Sequence, residues 1–180
     1  MLLNFCTIPD YFNLAEIENL NVTLNEFKVE GKDNPAVGVS KTCIVDTVLW
    51  RDIKETLIDL EQNLHFNNTS LFGFNILPFT NYDNVNLNTY TSDFESEYSW
   101  HNDFILSERI YDNKLTVIVN ISTEAYTGGE FQLFLTDEMT IADKPGTVII
   151  FPSWTQHRVK PVISGVRKSL SFWIKGPKLT

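Results

Sequence analysis

Four residues of this chain combine types and spacing that suit metal chemistry. His101 and Asp103 stand two apart in EYSWHNDF, His157 follows GTVIIFPSWTQ, and Arg167 comes ten residues later in GVRKSLSFWI. If the first segment is extended, side chains two apart share a face, with Cα atoms roughly 6–7 Å apart. An imidazole and a carboxylate placed so can meet one ion at bond lengths of about 2 Å. Taken alone, H-x-D also suits a turn histidine beside a surface carboxylate. His157 adds the second half, because it falls between two runs that read as strands, at the kind of mouth where sites on β scaffolds are built. Two histidines and one carboxylate form the facial triad of non-haem Fe(II), which leaves three positions open. A closed structural zinc site wants a fourth ligand, and neither Cys6 nor Cys43 lies near these segments.

Around Arg167 the residues alternate. Val166, Lys168, Leu170, Phe172 and Ile174 fall on one face of an extended segment; Arg167, Ser169, Ser171 and Trp173 fall on the other. An arginine on a strand is ordinarily solvated. Turned inward, its planar fork would grip a carboxylate in two places, with the Ser169 hydroxyl beside it. A dicarboxylate anchored there would lay its other end on the metal.

These residues need a scaffold. Short β runs dominate after residue 70: SLFGFNIL, KLTVIVNI, GEFQLFL, GTVIIFP, HRVKPV and KSLSFWI, with TGGE and KPG as turn signals. Without interleaved helices, they predict an antiparallel double-sheet jelly roll or barrel. The polar, tyrosine-dotted stretch at residues 79–96 reads as a mobile loop, a candidate lid. Upstream, Leu49, Ile53, Leu57, Leu60 and Leu64 recur at helical steps through TVLWRDIKETLIDLEQNLHF, with Asp46 as N-cap and His65 near the helix end. Such a helix lays one apolar stripe on a sheet.

Composition sets the outer bounds. The 180 residues, 43% of them hydrophobic, suit one domain with a real core. A net charge of −9 argues against a nucleic-acid or anionic-membrane partner. Two cysteines make no disulfide framework and read as reduced thiols. No apolar run reaches the roughly 20 residues needed to cross a bilayer. No secretion signal is legible, which leads us to expect a cytoplasmic location, the host's cytoplasm for a viral protein.

The segments YSWHND, LTVIVNISTEAYTGGEFQLF and KPGTVIIFPSWTQHRVKPVISGVRKSLSFWIKGP together resemble the Fe(II)- and 2-oxoglutarate-dependent oxygenases. Within them the chain is most similar to the prolyl 4-hydroxylase-like group, which includes bacterial PKHD-type hydroxylases and bacteriophage relatives. The resemblance covers about residues 70–177. It implies a mainly β fold, a double-stranded β-helix of the cupin-like jelly-roll type, braced by N-terminal helices within residues 1–66. It implies iron held by His101, Asp103 and His157, with Arg167 on the distal carboxylate of 2-oxoglutarate, helped by Ser169. Tyr98 matches a tyrosine that lines the co-substrate pocket. Where animal prolyl hydroxylases often carry a tyrosine on the strand after H-x-D, this chain has Val119 or Asn120, so that hydrogen bond must be rearranged.

The implied cofactors are Fe(II), 2-oxoglutarate and O2, with ascorbate as a reductant. The implied reaction is hydroxylation of an unactivated C–H bond, on a prolyl residue of a peptide or protein, with release of succinate and CO2. A free amino acid or small metabolite would use the same core. A redox-inert metal-binding jelly roll would need the metal residues without Arg167, and a non-catalytic interaction module would need neither.

Overall fold

The computed structural model describes residues 3–31, 37–104 and 110–178. Thirteen strands and two α-helices follow one another along the described chain. In order they are β1 (Cys6–Ile8), α1 (Leu14–Phe27), β2 (Val29–Glu30), β3 (Ile44–Leu49), α2 (Trp50–Leu71), β4 (Asn84–Thr91) and β5 (Tyr98–His101). Then come β6 (Tyr111–Asn120), β7 (Thr127–Gly128), β8 (Phe131–Phe134), β9 (Glu138–Thr140), β10 (Val148–Pro152), β11 (Gln156–Val159), β12 (Val162–Ser164) and β13 (Val166–Pro177).

The strands make a large sheet in the order β1-β10-β6-β13-β4-β3-β2 and a smaller one in the order β5-β11-β8-β9; β12 and β7 pair separately. All pairings are antiparallel. This is the double-sheet jelly roll that the strand pattern predicts, and the double-stranded β-helix that the resemblance implies. The N-terminal region is more than a brace, since β1 pairs with β10 and β3 with β4, widening the large sheet at both edges.

Each central strand of the large sheet alternates between two buried environments. Leu115, Val117 and Val119 of β6, Val148 and Ile150 of β10, and Leu170, Phe172 and Ile174 of β13 join the helices in one apolar core. Ile17, Leu20 and Leu24 supply the stripe of α1; Trp50, Ile53, Leu57, Leu60 and Leu64 supply that of α2. A second cluster lies on the other side. It includes Tyr90, Ile118, Ile149 and Phe151 from the large sheet and Phe131, Leu133 and Val159 from the small one.

Three expectations are corrected. Asp46 does not cap the helix: it lies within β3, where it pairs with Lys28 at 3.0 Å, and α2 begins at Trp50 and runs on to Leu71, past His65. The β-branched run Ile44, Val45, Thr47 and Val48 favours the ladder over the helix's first turn. SLFGFNIL forms no strand. Its first two residues end α2, and beyond them Leu77 makes a single backbone bond to Lys175 while Phe74, Ile76 and Phe79 pack on the core. The expected loop at 79–96 instead contains β4, an inner strand bonded to both β13 and β3. α1, which periodicity did not single out, starts with a capping box. Asn13 Oδ1 accepts from the Glu16 N–H at 3.1 Å, and the Asn13 N–H donates to Glu16 Oε2 at 2.8 Å.

Candidate metal centre and its cavity

β5 and β11 lie side by side with His101 directly opposite His157, so the ladder itself brings the two imidazoles together, ring centres 4.1 Å apart. Asp103 follows just beyond the end of β5, where its backbone N–H donates to the Ser153 carbonyl at 2.8 Å. Its carboxylate oxygens then lie 3.8 Å from His101 Nε2 and 3.4 Å from His157 Nε2. The three donor atoms all fall within 4.8 Å of one another.

Each donor is held from behind. His101 Nδ1 sits 2.8 Å from the Ser99 carbonyl, and His157 Nδ1 sits 3.0 Å from the Thr155 carbonyl. A carbonyl only accepts, so it selects the tautomer with the proton on Nδ1 and leaves the Nε2 lone pair for an ion. The Thr116 hydroxyl, on β6, lies 2.8 Å from Asp103 Oδ2 and 3.1 Å from the Ser153 hydroxyl. Burial, helped by His157 next to it, lowers the pKa of His101 to about 3. The ring is therefore neutral near pH 7, as a metal ligand must be. The ring of Tyr98 stacks on His101, centres 3.4 Å apart and 12° from parallel. Two imidazole nitrogens and a carboxylate oxygen, buried and pre-aimed, fit a ferrous ion with an open coordination face.

The donors open into a cavity of about 180 Å³, lined also by Tyr90, Ile118, Phe131, Ser169 and Trp173. Arg167 reaches it as well, wholly buried. Its Nη1 donates to Ser169 Oγ at 3.2 Å, and its Nη2 pairs with Asp143. The Tyr90 ring lies 5.3 Å from the guanidinium carbon. Burial disfavours the charge, but Asp143, together with Tyr90 and Tyr126, outweighs that cost, and the Arg167 pKa is raised. Gly129, at φ +66°, lets the chain pass close to the arginine stem; a Cβ there would stand 3.1 Å from Arg167 Cδ.

The six residues that the sequence assigns to the metal and the co-substrate all border this cavity: His101, Asp103, His157, Tyr98, Arg167 and Ser169. Sequence reasoning missed Tyr90, Thr116 and Asp143. Val85 and Leu87 alternate with asparagines ahead of Tyr90, a partial strand signal that breaks before the tyrosine, whereas Asp143 sits in an ordinary polar connection. Trp154 is 42% exposed, and Glu130 reaches Lys160 at 3.7 Å on the surface; neither lines the cavity. His65, inside α2, faces Glu61 at 3.8 Å and takes no part.

A jelly roll with a buried 2-His-1-carboxylate set belongs to the class of non-haem iron proteins. Residues 85–175, just over half of the chain, match the family model of the 2OG-Fe(II) oxygenase superfamily, and the chain belongs to that family. The family uses Fe(II), 2-oxoglutarate and O2. A PKHD-type hydroxylase of Colwellia psychrerythraea is 47% identical over 51 residues; the match spans 28% of this chain and 23% of that protein. Among solved structures, a Pseudomonas putida prolyl-4-hydroxylase superposes with a TM-score of 0.71 at 16% identity, over 97% of this chain and 94% of that one. A viral collagen prolyl hydroxylase from Paramecium bursaria Chlorella virus-1, solved as a 2OG complex, gives 0.70 at 17%, over 97% of both chains. A Trichoplax adhaerens prolyl hydroxylase, in complex with a hypoxia inducible factor peptide fragment, gives 0.70 at 17%, over 95% and 83%. At such identities the likeness is one of fold. Among the described residues no helix is long and apolar enough to cross a membrane.

Proposed function

We propose that this chain is a hydroxylase that uses Fe(II), 2-oxoglutarate and O2 to oxidise an unactivated C–H bond, and that its substrate is a prolyl residue of a peptide or protein. The observation that carries the reading is the convergence of His101, Asp103 and His157 in a cavity that also receives the buried guanidinium of Arg167. The prolyl hydroxylases among the similar structures, one of them holding a peptide fragment, support the substrate class.

In this reading His101, His157 and Asp103 hold the iron. Bound there, iron and 2-oxoglutarate supply the activation of O2 for C–H hydroxylation, with succinate and CO2 as co-products. The Ser99 and Thr155 carbonyls fix the imidazoles, and Thr116 fixes the carboxylate, so the donor set is assembled before the metal arrives. Arg167 takes the distal carboxylate through charge-assisted bonds, and Ser169 orients the guanidinium. Tyr98 lies flat on His101, restricts its rotation and walls the pocket. Ile118, Phe131 and Val159 give the cavity an apolar wall. Asp103 would fill the third protein position on the metal, the one a halide would need, which favours hydroxylation over halogenation.

The test is anaerobic addition of Fe(II) and 2-oxoglutarate to the purified chain. We expect the weak visible charge-transfer band of the iron–keto-acid chelate, absent in Asp103→Ala. A proline-rich peptide is then added under air with ascorbate, and mass spectrometry should find one added oxygen on proline. No band in the wild type ends the oxygenase reading. A band, with a free amino acid oxidised and no peptide, moves the substrate to a small metabolite.

A further inference from the structure

The guanidinium of Arg167 already carries a carboxylate. Its Nη2 donates to Asp143 Oδ2, and both side chains are buried, 0% and 6% exposed. Asp143 sits on the connection between β9 and β10 and is pinned there. Its backbone carbonyl accepts from Asn120 Nδ2 at 2.7 Å and from the Tyr126 hydroxyl at 3.4 Å. The turn that follows is tied to β6 by the Gly146 N–H on the Asn120 carbonyl at 2.8 Å. On the rest of the guanidinium, Nη1 donates to Ser169, while Nε finds no partner among the described residues. Asp143 Oδ1 finds none either, so the pair is single-pronged and lacks the two-pronged fork that arginine and carboxylate favour.

This arrangement answers one problem and creates another. A lone guanidinium at this depth would be an uncompensated buried charge, which is costly. Asp143 removes that cost when the cavity holds no co-substrate. Yet the distal carboxylate of a keto-diacid then meets a cation that is already balanced, and two carboxylates must share it where the dielectric is low.

We propose that Asp143 is a resident counter-ion of Arg167, which lets the cavity fold empty and holds down its affinity for the distal carboxylate of the co-substrate. The inference rests on Arg167 as the 2-oxoglutarate anchor. It makes Asp143 a positioning residue that sets how much keto-diacid the protein needs, from behind the arginine and away from the metal.

Asp143→Asn keeps an oxygen to accept from Nη2 and deletes the charge. Calorimetric titration of 2-oxoglutarate into the Fe(II)-loaded protein under anaerobic conditions should show Kd falling roughly tenfold in the variant. The thermal midpoint of the metal-free variant should fall at the same time. A purely structural role would lower the midpoint and weaken binding together, so the opposite signs separate the two. A folded variant that binds 2-oxoglutarate no more tightly than the wild type overturns the inference. Should the variant not fold, the wild type decides by itself. Replacing the distal carboxylate of the ligand with an amide should weaken binding by less than about tenfold, and a loss above about a hundredfold overturns the inference. A wild type that binds no 2-oxoglutarate at all removes the anchor reading and this inference with it; failure of the Asp143 contrast alone leaves the anchor reading standing.

Discussion

The two faces of the large sheet are built from the same strands and do opposite work. Toward the helices, β13 presents Leu170, Phe172 and Ile174; toward the cavity it presents Arg167, Ser169, Ser171 and Trp173. β4 repeats the division, with Val85 and Leu87 on one side and Asn86, Asn88 and Tyr90 on the other. The helix face has side chains that need only fill volume. The cavity face has polar groups that need partners, and they find them in one another: Asn88 Nδ2 donates to Ser171 Oγ at 2.9 Å, and Arg167 bonds Ser169 and Asp143. A strand's period of two therefore separates stability from chemistry at single-residue resolution, and neighbouring positions make natural controls for each other.

The largest expected effect lies on the helix face. Phe172 is fully buried and packs its ring against Phe79 and Trp50, with centroids 5.6 and 6.3 Å away. Phe172→Ala should cost about 3–5 kcal/mol of unfolding free energy, measured by chemical denaturation. The fraction that remains folded should bind metal as the wild type does. Lost metal affinity in that fraction would break the division between the faces.

Next comes the support behind the donor set. Thr116→Val keeps the shape of the side chain and removes the hydroxyl that holds Asp103. Loss of such a partner weakens metal binding by about 10–100-fold. Fe(II) affinity should fall within that range by anaerobic titration, and stability should change by no more than about 1–3 kcal/mol.

A smaller effect, graded with pH, follows from His101. Burial lowers its folded pKa to about 3, whereas an unfolded histidine titrates near 6.5. Between those values the unfolded chain binds a proton that the folded chain refuses. The metal-free protein should therefore lose stability as pH falls from about 6.5 toward 3, by at most about 1.4 kcal/mol per pH unit from this group. Denaturation curves at pH 7 and pH 5 should reveal the slope, and His101→Gln should flatten it.

The division between faces also explains what the sequence reveals and what it hides. His101, Asp103, His157 and Arg167 are legible because chemistry restricts their types and strand geometry restricts their spacing. β4 is hidden because its polar residues face inward. In NVNLNTYT the asparagines are read as loop formers, yet Asn88 is buried beside Ser171. The usual equation of polar with exposed inverts wherever a sheet lines a cavity. Asp143 and Thr116 are hidden for another reason, since their partners lie 24 and 13 residues away and nothing local marks the contact. The start of α2 was misplaced because Leu49 continues the helical spacing from inside β3.

The sharpest control is also the smallest effect. Leu170 and Ser171 are adjacent on β13, both buried, and differ in which face they serve. Leu170→Ala should cost about 2–5 kcal/mol, because it opens a void among residues that close-pack. Ser171→Ala removes one hydroxyl and leaves Asn88 Nδ2 without that acceptor, inside a cavity that can admit water to replace it. Its cost should stay at or below about 1 kcal/mol. If Ser171→Ala proved as damaging as Leu170→Ala, the cavity-face hydrogen bonds would be holding the fold together, and the polar lining would have a structural explanation that needs no ligand. A near-neutral Ser171→Ala leaves the buried polar stripe without a structural reason to exist, which is what a surface shaped for a polar co-substrate requires.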